Sequence, residues 1–150
     1  MPITRTLAER VAMLARLLRL PAAAPPPRAL GVHDGRLSPC RNPRNCVSSY
    51  AGDGDALPPL PGGRGRDETM RRLRAILASE PGAQVVEERG DYLRAEFTTR
   101  LWRFVDDVEL LWDDAEGVVH FRSASRIGRA DLGTNRRRMR HLADRFAAED

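Results

Sequence analysis

Between residues 84 and 125 the chain alternates, and that alternation constrains the fold more than any other feature. Within residues 92–99, Leu93, Ala95 and Phe97 take every second position, with Arg94 and Glu96 between them. Successive side chains of a strand point to opposite faces, so this is a strand with one apolar face. Residues 84–88, 102–112 and 118–125 read as three more strands, joined by short polar turns at Gly90-Asp91 and at residues 113–117. Helical stripes flank the run. Residues 67–79 carry Met70, Leu73, Ile76 and Leu77, with Asp67 placed to cap the start and Pro81-Gly82 to stop the end. After Gly133, a second helix carries Met139, Leu142, Ala143 and Phe146 on one face. This order predicts an α+β two-layer sandwich, a four-stranded antiparallel meander covered on one face by two helices.

The rest of the chain divides into an N-terminal part, residues 1–30, and a single α+β domain, residues 31–150. Residues 4–20 read as an additional amphipathic helix, with Leu7, Val11, Leu14 and Leu18 on one face and Arg5, Glu9, Arg16 and Arg19 opposite. Such a helix packs on the domain or on a partner chain; its basic character also suits contact with an anionic membrane surface. Pro21, Pro25, Pro26 and Pro27 make residues 21–30 an extended linker. Residues 31–65 are rich in turn formers, and their first half, with the two cysteines, is expected to pack against the domain.

A chain of 150 residues is long enough to bury a core without staples. No run of 18 apolar residues appears, and Arg10, Arg16 and Arg19 interrupt any signal-peptide core. The expectation is therefore a cytoplasmic protein. Net charge is +4, and all 25 basic residues are arginine. Arginine grips carboxylates and phosphates bidentately, but an arginine-only composition with abundant alanine and proline reads first as codon bias.

Three stretches carry the polar chemistry. In the first, Cys40 and Cys46 enclose five residues that include Arg41, Asn42, Arg44 and Asn45, and Ser48 follows. A bridge forms if the turn brings the two Cα atoms within about 7 Å. Free thiols beside arginines would instead be reactive. The spacing is not that of a zinc ribbon, and no metal ligand is expected here. The second stretch holds Asp106 and Asp107, which as neighbours on a strand cannot both face solvent. A buried carboxylate needs a partner, and Arg122 or Arg126 on the next strand is the expected one. The third, residues 122–138, puts Ser123 and Ser125 on one strand face and Arg122 and Arg126 on the other, then breaks at Gly128 and Gly133 into a helix. Asp131 or Thr134 is placed to cap that helix, with Asn135 in its first turn. Free amides at a helix start beside arginines and hydroxyls hold anions. Seven arginines fall within residues 122–140, but no aromatic residues interleave with them, which reads against nucleic acid.

Together these stretches resemble the domain-of-unknown-function family numbered fourteen ninety-nine, found in bacteria and plastids. Its signature runs C-P-x-x-P-N-C-V-S-S, then F-V-D-D-V-E-F, then R-S-A-S-R-x-G-x-x-D-x-G-x-N-R-x-R. The matching segments here are residues 40–49, 104–110 and 122–138, and the likeness extends over about residues 33–147. Arg41 and Arg44 stand where the family usually has prolines, and Arg129 and Ala130 where it has an aromatic residue and a serine. Many members look exported or membrane-associated, which this N-terminus does not. The resemblance implies one domain with one composite site and brings no activity or cofactor with it.

The resulting expectation is a binding module. Asn45, Ser48, Asp106, Asp107, Arg122, Ser123, Ser125, Arg126, Asp131 and Asn135 would line one cleft for an anionic small molecule or a partner bearing a carboxylate or phosphate. The alternative is an enzyme with Cys46 as thiolate nucleophile or Asp107 as general base, and after that a nucleic-acid-binding protein.

Overall fold

A computed structural model describes residues 24–50, 52, 56–100 and 103–148. The expected helix at residues 4–20 and the start of the linker lie outside the described residues, as does Trp102. In chain order the elements are β1 (Val32–His33), β2 (Arg36–Leu37), β3 (Cys46–Ser48), β4 (Leu60–Pro61), α1 (Arg66–Ser79), β5 (Ala83–Arg89), β6 (Tyr92–Thr98), β7 (Val105–Asp113), β8 (Val118–Ser125) and α2 (Thr134–Ala148).

The meander from β5 to β8 pairs antiparallel in chain order. The sheet is nevertheless six-stranded, ordered β3-β8-β7-β6-β5 with β4 also on β8, and β1 and β2 form a separate two-stranded sheet. The expectation of four strands was too small. β3 and β4 lie end to end along one edge of β8, at Arg122–Ala124 and at Val118–Val119. With three and two residues they are too short to alternate visibly, and prolines and glycines surround them. What makes them strands is the row of unpaired backbone groups that β8 would otherwise expose.

Both helices cover the same face. Met70, Leu73, Ile76 and Leu77 of α1, with Met139, Leu142 and Phe146 of α2, pack on Leu93, Ala95, Phe97, Val108, Leu110, Val119 and Phe121. Burying each large side chain stabilises the fold by about 1.5–3 kcal/mol. Asp67 does not cap α1; the helix begins at Arg66 after Gly65 and has no side-chain cap. Its first turn is tied down instead by Thr69, whose hydroxyl donates to the Gly62 carbonyl at 2.6 Å. Gly62 itself must lack a side chain, because a Cβ there would sit 2.0 Å from the Gly117 carbonyl and 2.6 Å from the Trp112 ring.

The other face is also covered. Val32 and Leu37 of the β1–β2 hairpin pack with Tyr50, Tyr92 and Leu111. The Gly31 N–H donates to Glu109 at 2.7 Å, and the Ala24 carbonyl accepts from Arg126 at 2.8 Å. Residues 24–37 therefore cross the sheet opposite the helices. Any residue of β7 or β8 in their path is buried, whichever way it points.

Candidate functional site

That double cover decides the fate of the paired acids on β7. Asp106 is 3% exposed and Asp107 1%, so neither faces solvent. They point to opposite sides of the sheet and enter different networks. Asp107, on the side away from the helices, receives Arg126 bidentately, Nε at 2.7 Å and Nη2 at 2.8 Å, and Arg94 Nη1 at 3.1 Å. Glu96 lies between the same two arginines. One step along the sheet, Glu109 accepts from Arg122 at 3.2 Å and from the Tyr92 hydroxyl at 2.9 Å. Hydrogen bonding to Asp107 raises the Arg126 pKa further, against burial, and burial with the Glu109 charge pushes the Tyr92 hydroxyl well above its ordinary value. Arg126 is thus held charged and Tyr92 neutral.

On the helix side Asp106 pairs with Arg138 at 2.7 Å, not with Arg122 or Arg126. Arg138 also donates to Asn135 Oδ1 at 2.8 Å, and the Ser123 hydroxyl reaches the same oxygen at 2.5 Å. The Asn135 amide nitrogen donates to Ser125 Oγ, to Asp131 Oδ2 and to the Asn45 carbonyl. Asp131 accepts the N–H groups of Gly133 at 2.8 Å and Asn135 at 3.0 Å. Burial works to raise its pKa, but these amides and the Asn135 side chain overcome it and hold the carboxyl below the ordinary range. The anion that the start of α2 attracts is therefore already supplied from within the chain.

Cys40 and Cys46 are joined in a disulfide. The loop they close docks on the strand-to-helix turn. Asn45 Nδ2 donates to the Gly128 carbonyl at 2.8 Å, Asn42 Nδ2 to Arg129 at 3.1 Å, and the Asp131 N–H to the Arg44 carbonyl at 3.0 Å. Ser48 is buried in β3 and accepts the Tyr50 N–H, taking no part in that junction. The expected residues thus divide. Asn45, Ser125, Asp131 and Asn135 meet at one junction, with Ser123 and Asp106 beneath it. Asp107, Arg122 and Arg126 lie across the sheet from them. Between loop and turn opens a cavity of about 290 Å³, walled by Arg44, Cys46, Val47, Asp131, Leu132 and Arg136.

A second polar cluster escaped the sequence reading altogether. His120 of β8 lies near Asp113 at the end of β7 and Glu116 in the hairpin, with Nε2 at 3.9 Å and 3.5 Å from their carboxylates. Hydrogen bonds from the Glu116 and Ala115 N–H groups hold the Asp113 carboxyl below its usual range, with the Glu116 bond the larger influence. The signal was there in the alternation. With Leu111 opposite His120 and Asp113 opposite Val118, Asp113 and His120 are diagonal neighbours on one face. A polar hairpin loop hid it.

No curated protein and no solved structure matches the chain at a significant level. Residues 36–146, which include the bridged loop, β7 and the turn into α2, match the profile of the family described as "Protein of unknown function (DUF1499)", and the chain belongs to that family.

Proposed function

We propose that the domain is a binding module for an anionic ligand, a small molecule or partner segment bearing a carboxylate or phosphate, seated between the bridged loop and the start of α2. One observation carries this reading: the cavity there has two guanidinium groups, Arg44 and Arg136, in its wall. Guanidinium groups in an open wall engage carboxylate and phosphate oxygens in pairs. Asp131 also lines the cavity, but its oxygens are committed to the Gly133 and Asn135 amides. In this reading Asn45, Ser125, Asp131 and Asn135 support the ligand by fastening the loop to the turn. Ser48, Asp106, Asp107, Arg122, Ser123 and Arg126 hold the sheet beneath it.

The enzymatic alternatives draw less support. Cys46 offers no thiolate while bridged to Cys40, and both oxygens of Asp107 are taken by arginines. A cytoplasmic setting would keep the loop as a dithiol, since stable bridges belong to oxidising compartments. A thermal-shift screen of phosphates, nucleotides and carboxylates on the full chain tests the proposal. A ligand at a hundred times its Kd adds about 2.7 kcal/mol of stability, and Arg44→Ala or Arg136→Ala removes that gain. Equal shifts in wild type and both variants, or no shift across the screen, would refute it.

A further inference from the structure

His120 is 8% exposed, and its ring stacks on Tyr50 with centroids 4.1 Å apart. Its Nδ1 lies 3.0 Å from the Ser49 hydroxyl oxygen. That oxygen accepts the Phe121 N–H at 2.8 Å, and the Phe121 carbonyl, 3.4 Å away, is an acceptor for its proton. A serine hydroxyl has one proton and two lone pairs. With its proton turned to the carbonyl and one lone pair on the Phe121 N–H, the hydroxyl has a lone pair left for an Nδ1 proton. Ser49 can therefore hold an Nδ1–H, the tautomer that presents the Nε2 lone pair to a metal ion. Nε2 faces Glu116 Oε2 at 3.5 Å and Asp113 Oδ2 at 3.9 Å and hydrogen-bonds neither. Two carboxylates and the nitrogen of a largely buried imidazole thus converge on one spot, where a cation offsets the repulsion between the carboxylates.

We propose that His120 Nε2, Asp113 and Glu116 bind a divalent transition-metal ion, with zinc the best match. The Nδ1–H held by a hydroxyl is the outer-shell bond that orients a metal-ligating histidine and frees its other nitrogen. The donor atoms all lie within 4.8 Å of one another, and bonds of about 2.0–2.2 Å draw them together. Glu116, 64% exposed, supplies most of that movement. The Ala115 and Glu116 amides hold Asp113 by Oδ1, leaving Oδ2 toward the histidine. An imidazole in the set favours zinc over magnesium or calcium, which prefer oxygen alone. A cavity of about 390 Å³ opens on the three ligands, so a fourth position stays accessible to water or substrate, as in catalytic rather than structural zinc sites. Arg36, stacked over Tyr50, lines the same cavity. The two carboxylates outweigh its charge, and it stands ready to meet an anionic fourth ligand.

Isothermal titration calorimetry of the untagged full chain, stripped with chelator, tests the site with zinc chloride and with magnesium chloride as control. The expected result is one zinc per chain and much weaker magnesium binding. Glu116→Gln and Asp113→Asn should each weaken zinc at least about tenfold. His120→Ala should abolish it, and if loss of the packed ring unfolds that variant, the exposed Glu116→Gln substitution decides alone. Nitrogen NMR should show the zinc-bound His120 with its Nε2 resonance shifted and its Nδ1 protonated. Absence of zinc binding, zinc affinity unchanged in both carboxylate variants, or equal affinity for magnesium would overturn the proposal.

Discussion

Arg126→Met should destabilise the fold by about 3 kcal/mol, although Arg126 has the appearance of a ligand-binding arginine. Methionine keeps the apolar stem and removes the charge. Asp107, 1% exposed, then loses its bonds at 2.7 and 2.8 Å and keeps only Arg94 at 3.1 Å. The Ala24 carbonyl loses its donor as well. Stranding a buried charge costs about 3–5 kcal/mol, and the surviving Arg94 contact sets the lower end. For a chain of this size the melting temperature should fall by about 10 °C. Urea unfolding followed by circular dichroism measures the loss directly. The double variant Arg126→Met with Asp107→Leu should recover part of it, because replacing both partners leaves no stranded charge, while Arg94 and Glu96 still pair with each other. A loss below about 1 kcal/mol in the single variant would mean that the pair is screened by solvent. The burial of this face by residues 24–37 would then be wrong.

Removing the Cys40–Cys46 bridge, by reductant or by serine at both positions, should cost about 2 kcal/mol for so short a loop, read as a lower urea midpoint; an unchanged midpoint would assign the loop's order to Asn42 and Asn45 alone. Asp131→Ala should cost about 1 kcal/mol near neutral pH, as for loss of a helix cap. Because the folded-state pKa of Asp131 is lowered, its charge-dependent stabilisation is complete above the unfolded value of about 3.9 and is lost as pH falls through the folded value below it. The gap between wild type and variant should therefore narrow in acid, and a gap that widens there would contradict the assignment. Gly62→Ala should lower stability by about 1–3 kcal/mol or more, since its Cβ meets the Gly117 carbonyl, a backbone atom that cannot rotate away; a neutral effect in a thermal melt would show that β4 and the β7–β8 hairpin are not in contact.

The alternation of residues 84–125 and the two apolar stripes were sufficient to read the meander and the face on which both helices lie. These patterns are local, and burial on one face imposes them directly. The Asp107–Arg126 pair was legible for a related reason: a short hairpin joins their strands, so register and parity bring them near each other. The Asp106–Arg138 pair was not, because Arg138 approaches from α2 across the layer interface and no strand register links them. β3 and β4 were invisible because their pairing belongs to the exposed edge of β8, not to their own few residues.

For the site, residue type and parity along each strand settle which side chains carry charge and on which sheet face each one lies. Ser123 and Ser125 had to part from Arg122 and Arg126 by alternation alone. What those charges meet is set by how the chain closes on itself. The crossing of residues 24–37 buried the second face and turned Asp107, Glu109, Arg122 and Arg126 from surface groups into a paired ladder. The docking of the bridged loop opened the cavity at Arg44 and Arg136, and the β7–β8 turn brought Glu116 back to His120 and Asp113. Such meetings depend on long-range closure of the chain, whose cost is met by the core as a whole and leaves no periodic mark in the residues that benefit.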